Sequence, residues 1–257
     1  MDEIARHNQA AWDTESRAAG PWSIPVSAKD IQRAREGDWH IILTPQKPVP
    51  SSWFDGNLAG RRILALAGSG GQQAPILAAA GADVTVFDLS AEQLTHDRAV
   101  AEREGLRIRL EQGDMRDLSR FDDDCFDLVV NPCSTMFVSD VRAVWREVAR
   151  VLRPGGRLMT GLANPALFLF GDTRLGDDGL TLRYPLPVRG DEGRCREDAL
   201  ALGEPFQFSH TLTDLIAGQL QAHLQIVDFY EDGWDDADLP LTAFFPPFFA
   251  TLASKIR

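Results

Sequence analysis

The chain has 257 residues, of which 44% are hydrophobic and 25% charged, and its formal net charge is −12. This composition is typical of a soluble globular protein with enough apolar residues for a substantial core. The excess of negative charge argues against a nucleic-acid partner, because proteins that bind the phosphate backbone carry basic surfaces. Cys125, Cys133 and Cys195 are widely spaced, which predicts neither a disulfide framework nor a cysteine metal site.

The N-terminal segment is polar, with no apolar signal region. No apolar run approaches the length that crosses a bilayer. We therefore expect a cytoplasmic protein that binds neither a membrane nor a metal ion.

Residues 1–60 show no strand alternation. Short helices are predicted over residues 3–12 and 28–35, with Ser27 as the N-cap of the second. Prolines between residues 43 and 50 then impose an extended path. Because the segment is also rich in tryptophan, it is predicted to be an N-terminal helical and extended cap on a main domain of residues 61–257.

From residue 61 the pattern alternates between strand and helix. Apolar runs predict strands at 62–66, 83–87, 106–110, 126–131, 157–162, 224–230 and 248–254. Helices are predicted at 72–80, after the N-cap Ser90, at 141–152 and at 211–222. Residues 154–156, Pro-Gly-Gly, are expected to stop the third of these helices. Residues 165–205 break the strand–helix alternation. A loop is predicted at residues 171–179 and a strand at 180–184, and the whole segment is interpreted as an inserted hairpin or lid.

The predicted fold is therefore a doubly wound, Rossmann-like α/β fold. Its seven-stranded sheet is mostly parallel and has an antiparallel last strand.

The first predicted strand runs into the small-residue turn 67–71, and the second ends at Asp88. A backbone-lined turn at one strand tip and an acid at the next are typical of nucleotide-like cofactor sites. A nicotinamide dinucleotide is one candidate, but its Gly-x-Gly-x-x-Gly fingerprint requires a third glycine where this chain has Gln73. The match is poor, although a nicotinamide-dependent oxidoreductase stays an alternative.

Further motifs follow in a fixed order. They are the turn 67–71, Asp88, the segment 113–118 (Gly-Asp-Met-Arg-Asp-Leu), Asn131 and the segment 152–156 (Leu-Arg-Pro-Gly-Gly). With these motifs the chain resembles the class I S-adenosylmethionine (SAM)-dependent methyltransferases over roughly residues 60 to 257. The resemblance implies transfer of the methyl group of SAM to an O, N, S or C atom of a small-molecule acceptor by in-line displacement, with S-adenosylhomocysteine as the product.

The resemblance also implies where the cofactor binds. Small residues at the turn let the backbone approach the methionine part, and Asp88 would accept hydrogen bonds from both ribose hydroxyls. Asp114 and Met115 would contact the adenine, and Asn131 would lie near the reactive sulfonium. The implied cofactor-binding residues are Ala67, Gly68, Ser69, Gly71, Gln72, Asp88, Leu89, Asp114, Met115 and Asn131.

The chain departs from the family pattern at two positions. Ala65 and Ala67 stand where the family usually has an acid and a glycine. Gln72 or Gln73 could replace the missing contact to the cofactor's ammonium group. A non-catalytic SAM-binding protein therefore stays a second alternative.

The candidate catalytic residue is His210, at the start of the predicted helix 211–222, as a general base. A histidine in this position is at least as often a packing or helix-start residue. Cys133 has no recognisable activating group and is interpreted as structural. Several aromatic and apolar side chains are read either as core or as the lining of the ligand sites: Trp12, Trp22, Trp39, Trp53, Met136, Phe137 and Tyr184.

Overall fold

A computed structural model of the protein describes residues 1–68, 70–170, 181–234 and 240–256. Its centre is one seven-stranded sheet in the order β3-β2-β1-β4-β5-β7-β6. The strands are β1 Arg62–Leu66, β2 Asp83–Asp88, β3 Ile108–Gln112, β4 Phe126–Asn131, β5 Leu152–Ala163, β6 Leu224–Asp232 and β7 Phe248–Lys255. β7 is antiparallel to both of its neighbours, and the pairings among β1 to β5 are parallel. The predicted fold class is confirmed.

Helices cover both faces of this sheet, as the apolar character of the central strands requires. The helices are α1 Glu3–Arg17, α2 Ala28–Arg35, α3 Gln73–Ala79, α4 Ala91–Glu104, α5 Val141–Val151, α6 Gly193–Leu202 and α7 Gly218–Gln221. Short 3-10 turns occupy Pro21–Ser23, Ser51–Phe54, Thr135–Phe137, Pro165–Leu169 and Pro240–Ala243. α5 packs on one face of the sheet through a buried stripe that includes Val144, Trp145 and Val148.

Two of the helix starts have the caps that the sequence predicts. The Ser27 side chain accepts a hydrogen bond from the Asp30 amide and completes a capping box. The Ser90 side chain accepts from the Gln93 amide, but the Gln93 side chain donates to Ser23 Oγ, so no second capping box forms.

Several predicted elements differ from the structure. β3 begins at Ile108 rather than at residue 106, because Gly105 ends α4 in a left-handed conformation and Leu106 still closes that turn. β5 begins at Leu152, which pairs with Phe126, so the segment 154–156 is an irregularity at the start of the strand. The predicted helix 211–222 is a π-helical turn, Thr213–Ala217, followed by α7.

The segment 165–205 is not a hairpin over its described residues. The only regular helix among those described residues is α6, which was not predicted. Of the predicted strand 180–184, residue 180 lies outside the described part of the chain, and residues 181–184 form one bridge, between Phe170 and Leu182. α6 has a weak apolar stripe and buries no residue, so its helical pattern is faint. The loop predicted at residues 171–179 lies outside the described residues.

The N-terminal residues pack closely on the sheet. A Cβ on Gly161 of β5 would lie only 2.0 Å from the carbonyl oxygen of Leu43, and that oxygen accepts the Cys133 amide at 3.0 Å. Trp53 is fully buried and donates its Nε1–H to Asp228 at 2.8 Å. The backbone near residue 43 therefore packs directly against the sheet, and β5 needs glycine at position 161 to allow this contact.

α1 is joined to the later segment around Phe206. The buried Asn8 side chain accepts from the Phe206 amide at 2.7 Å and donates to the carbonyls of Phe206 and Phe137 at 3.1 and 2.8 Å. His7 stacks on the Phe206 ring at a centroid distance of 3.9 Å. Within the described residues, no helix is long and apolar enough to cross a membrane.

Candidate functional site

A cavity of about 950 Å³ opens at the carboxyl ends of the parallel strands. This is the edge of an open α/β sheet at which ligands bind. Its lining comes from the segments that follow β1 to β5, from α1 and the residues after it, and from α6. The side chains used below are Trp12, Trp22, Ala67, Gln72, Asp88, Leu89, Gln93, Asp114, Met115, Cys133, Met136, Phe137, Tyr184 and Asp198.

The glycine turn after β1 is covered by residues 20–27, called the strap. The Val26 amide donates to the Gly71 carbonyl at 3.0 Å, and a Cβ on Gly70 would lie 2.9 Å from Ser23 Cα. Gly70 and Gly71 both have positive φ, at 36° and 78°. The turn therefore needs glycine both for its backbone conformation and for the close approach of the strap.

Two glutamines behind the turn bind the N-terminal segment. Gln72 donates its side-chain amide to the carbonyls of Pro21 and Ile24 at 3.1 and 3.2 Å. Gln73 is buried, and its Oε1 accepts the Ile42 amide at 3.1 Å. Both side chains therefore already hydrogen-bond to the strap or to residue 42. This geometry does not favour their predicted role, which is to replace the contact to the cofactor's ammonium group that an acid at position 65 would make. Ala65 itself is fully buried beneath the turn.

The other residues of the turn differ in their placement. Ala67 lines the cavity with a positive φ of 49°, and its amide donates to the Phe87 carbonyl at 2.8 Å. Gly68 packs over Ala65 without lining the cavity, since a Cβ there would lie 3.1 Å from Ala65 Cβ. Ser69 lies outside the described residues.

Asp88 is the last residue of β2 and Leu89 follows it; both line the cavity. The position of Asp88 is compatible with its predicted contact to the ribose. Asp88 Oδ1 accepts the Ser90 amide at 2.9 Å, which orients the carboxylate at the start of α4. The Asp88 carbonyl accepts the Gly113 amide at 2.9 Å and ties β2 to the segment after β3.

Asp114 and Met115 also line the cavity, but Asp114 is paired within the protein. Both of its carboxylate oxygens accept hydrogen bonds from the Arg116 side chain, the shortest at 2.5 Å. Arg116 also contacts Asp2 at 2.9 Å and Ser139 at 3.2 Å, so the segment after β3 is linked to the start of α1. Arg116 is not among the predicted site residues, although it follows Asp114 by only two positions.

Asn131 does not line the cavity. It is fully buried, and its Nδ2 donates to the Leu66 carbonyl and to Ser134 Oγ at 2.9 and 2.7 Å. Its Oδ1 accepts from Thr160 Oγ1 at 2.9 Å. The side chain therefore joins the ends of β1, β4 and β5, and this geometry favours a structural role over the predicted contact near the sulfonium.

His210 is likewise absent from the cavity lining. Its Nε2 lies 3.0 Å from the Thr135 carbonyl, which it can only approach as a donor. Burial lowers the pKa of His210, and the residue has a positive φ of 51°. The arrangement favours a neutral imidazole that holds the turn Thr135–Phe137, and it does not favour the predicted general base.

Cys133 lines the cavity beside Ala163 and Phe248. Burial raises the pKa of its thiol, and the nearby charge of Asp232 raises it further. A nucleophilic cysteine needs the opposite shift, so the structural interpretation from the sequence is favoured.

We expect the folded protein to react with dithionitrobenzoate at Cys133 at least about tenfold more slowly than the urea-unfolded chain at pH 7.5, because little thiolate is present. Comparison of wild type with Cys133→Ser, and with Cys125→Ser as the control, assigns the slow thiol. Loss of the fastest phase in Cys133→Ser would contradict this expectation.

Two buried oxygens lie under the glycine turn on α4. Gln93 Oε1 and Asp97 Oδ1 have no hydrogen-bond partner among the described residues, and a Cβ on Gly70 would lie 2.4 Å from Gln93 Oε1. Burial raises the pKa of Asp97 to about 7; contact with the Gly71 backbone opposes this shift, and the charge of Asp88 adds to it. Asp97 is therefore an acid that folding keeps partly protonated near neutral pH.

Because the pKa of Asp97 is higher in the folded than in the unfolded chain, its contribution to stability is present below about pH 4 and lost as the pH rises towards 7. We expect the free energy of unfolding to fall by about 1–3 kcal/mol between pH 5 and pH 8 for this reason. Urea denaturation of Asp97→Asn should show this decline removed. The exposed Asp122→Asn is the control and should keep the wild-type decline; an equal decline in Asp97→Asn would refute the assignment.

The tryptophans divide between cavity and core. Trp12 and Trp22 line the cavity, and Trp22 packs edge-on against Trp234 at 5.4 Å. Trp39 packs on Phe54, and Trp53 is fully buried.

The three other predicted lining residues, Met136, Phe137 and Tyr184, all lie in the cavity wall. Asp198, which accepts a hydrogen bond from Tyr184, is not among the predicted site residues. Its signal is the spacing of Cys195, Asp198 and Leu202 on one face of α6, which lines the cavity.

Comparison with known proteins agrees with this geometry. A family model described as a methyltransferase domain matches residues 64–160. The crystal structure of a SAM-dependent methyltransferase from Mesorhizobium loti has the same fold, with a TM-score of 0.63 over 79% of this chain and 95% of that chain, at 22% identity. The uncharacterized methyltransferase YbaJ of Bacillus subtilis (strain 168) is 42% identical over 236 residues, covering 90% of this chain and 92% of that protein.

The chain belongs to the class I SAM-dependent methyltransferases. Its cofactor is SAM, and neither the oxidoreductase nor the non-catalytic alternative is retained. A more distant relative, the ubiquinone biosynthesis O-methyltransferase of Aeromonas salmonicida (strain A449), is 32% identical over 122 residues, covering 46% of this chain and 50% of that protein.

The cavity of this methyltransferase suits SAM in size and chemistry. Its volume of about 950 Å³ lies at the upper end of the roughly 300–1,000 Å³ typical of small-molecule sites, which leaves room for a second ligand. The carboxylate of Asp88 and the thioether of Met115 supply a hydrogen-bond acceptor and an apolar contact for a nucleoside.

Proposed function

We propose that this methyltransferase acts on a small, largely apolar acceptor. The observation that carries the proposal is the number of aromatic and aliphatic side chains in the lining of the cavity: Trp12, Trp22, Met136, Phe137, Leu167, Phe168, Phe170, Trp234 and Phe248. The net charge of −12 disfavours a polyanionic acceptor. The ubiquinone biosynthesis O-methyltransferase among its relatives supports an apolar acceptor as well.

In this proposal, Asp88 binds the ribose and Met115 packs on the adenine. Ala67 lies along the methionine part, and Leu89 completes the cofactor end. Gln72 contributes by fixing the strap, and Asp114 contributes through its ion pair with Arg116. When bound, SAM supplies an electrophilic methyl group for in-line displacement.

The division of the chain is part of the same proposal. Residues 1–60 act as a cap, residues 61–257 as the core, and residues of about 165–205 as a lid over the acceptor. The Glu3–Arg196 ion pair at 2.8 Å supports this, because it joins the cap to the lid, and the Asn8 hydrogen bonds join the cap to Phe206, just after the lid. Such a cover excludes water and holds acceptor and methyl group near contact, which is the main source of rate in this chemistry.

The test is transfer of radiolabelled methyl from SAM to a panel of small aromatic and aliphatic hydroxyls, thiols and amines, with oligonucleotides and a peptide mixture as comparison. We expect label in at least one apolar small molecule and none in the macromolecules. Calorimetry with SAM and S-adenosylhomocysteine runs in parallel. Label found only in a macromolecule would overturn the proposal.

A further inference from the structure

One wall of the cavity carries a polar cluster that the cofactor does not require. Its members are Arg183 and Tyr184, which follow the turn after β5, and Asp198 of α6. We propose that Asp198 accepts the proton of the methyl acceptor, and that this acceptor is an apolar molecule with a weakly acidic hydroxyl group, such as a phenol or an enol. This inference rests on the proposed function and names the acceptor class of that site.

Within the part of the chain that the structure describes, the contacts of Asp198 all involve one of its two oxygens. Tyr184 donates its hydroxyl to Oδ2 at 2.8 Å, and the guanidinium of Arg183 lies 3.2 Å from the same atom. Arg194 approaches Oδ2 at 3.8 Å. Among the described residues nothing donates to Oδ1, so the carboxylate is oriented through Oδ2 while Oδ1 stays available to a ligand in the cavity.

The cluster is fixed at the edge of the sheet where the cofactor residues lie. The amides of Arg183 and Tyr184 both donate to the Leu169 carbonyl, at 2.7 and 3.2 Å, just beyond the end of β5. The Arg183 guanidinium also lies 5.4 Å from the centre of the Tyr184 ring. Asp198 is thereby tied to the segment after β5, and it lines the same cavity as Asp88 at the end of β2.

The residues beside Asp198 on α6 favour an acceptor that is apolar around its reacting group. Cys195, Ala199 and Leu202 line the cavity at helical spacing around Asp198. Asp198 is therefore a single carboxylate on an otherwise apolar face. An acceptor that fits this face has an apolar body and one hydrogen-bond donor.

The charges around Asp198 favour a hydroxyl as that donor. A hydroxyl that loses its proton becomes an oxyanion, which the Arg183 guanidinium stabilises. A protonated amine would instead face that cation, and a thiol is a weak hydrogen-bond donor to a carboxylate. Burial and the hydrogen bond to Asp198 raise the pKa of Tyr184, so Tyr184 keeps its proton and acts as a positioning residue.

In the reaction, the hydroxyl oxygen forms a bond to the methyl carbon as the bond between that carbon and sulfur breaks. The electron pair of the broken bond stays on sulfur. The hydroxyl proton passes to Asp198 Oδ1 and then to solvent. The products are the methyl ether, S-adenosylhomocysteine and one proton.

The experiment uses three probes of the same shape, namely 1-naphthol, 1-naphthalenethiol and 1-naphthylamine, with the full-length protein and radiolabelled SAM. We expect methylation of 1-naphthol with a kcat/KM at least about tenfold above the other two. Asp198→Asn should lower kcat about 100-fold or more while the Kd of SAM is unchanged. The matched control is Glu197→Gln, the exposed neighbour on α6, which should behave as wild type.

The pH profile separates a proton acceptor from a merely structural residue. Below the pKa of the probe, the kcat of Asp198→Asn should rise about tenfold per pH unit, because only the ionised probe then reacts, whereas wild type should show a flatter profile. Tyr184→Phe should shift the profile with a smaller loss of kcat. Equal profiles for wild type and Asp198→Asn, or no methylation of 1-naphthol by the SAM-bound protein, would overturn the inference. Faster transfer to the thiol or amine overturns it but leaves the proposed function intact, whereas failure to bind SAM removes the proposed function itself.

Discussion

Asp88→Ala is expected to weaken SAM binding by about 1.5–3 kcal/mol, which is roughly 10- to 150-fold in Kd. The carboxylate lines the cavity at the end of β2 and is oriented by the Ser90 amide. In the variant no group replaces the Asp88 carboxylate, so both ribose hydroxyls lose their charged hydrogen-bond acceptor. Titration calorimetry of SAM into wild type and variant measures the change.

The control for this substitution lies on the same strand. Asp83→Ala removes an exposed aspartate at the opposite end of β2 and should leave the Kd of SAM unchanged. Asp88→Asn keeps an oxygen for the Ser90 amide and should fall between wild type and Asp88→Ala. An unchanged affinity in Asp88→Ala would refute the ribose assignment.

Gly70→Val is expected to lower the free energy of unfolding by about 2–4 kcal/mol, since it combines backbone strain with a steric clash. Gly70 has a φ of 36°, and its Cβ would lie 2.9 Å from Ser23 Cα in the strap. Because the strap must move off the glycine turn, we also expect SAM to bind at least about tenfold more weakly. Urea denaturation and calorimetry provide the two measurements.

The control variant Gly37→Val separates the effect of backbone strain from the effect of displacing the strap. Gly37 also has a positive φ, at 87°, but a Cβ there would meet nothing within 4 Å. This variant should lose stability through strain alone and bind SAM as wild type does. If Gly70→Val also bound SAM normally, the strap would have no part in the cofactor site.

The features that could be predicted from the sequence are those that depend on local residue patterns. The apolar runs of β1, β2 and β4 predict the bounds of these strands to within one residue, because strands covered by helices on both faces are predominantly apolar. The placement of Asp88 and Asp114 at the cavity followed from their positions after strands, since parallel strands end at one edge of the sheet.

What the sequence did not predict depends on contacts between distant segments. The ion pair of Arg116 with Asp2 and the strap over Gly71 join residues that are far apart in the chain. His210 and Asn131 lie in the predicted segments, but their side chains do not line the cavity. They hydrogen-bond instead to backbone carbonyls of neighbouring segments. A motif fixes where a residue lies along an element, but the direction of its side chain depends on partners that only the folded chain supplies.

The position of β7 in the sheet has a consequence for the order in which the protein can fold during synthesis. β7 is translated after β6 but lies between β5 and β6. While the ribosome has not yet released residues 248–255, β5 has an open edge of unpaired backbone groups and β6 has no neighbour to join. The segments that carry Asp88 and Asp114 can pair early in translation, whereas completion of the sheet must wait for β7.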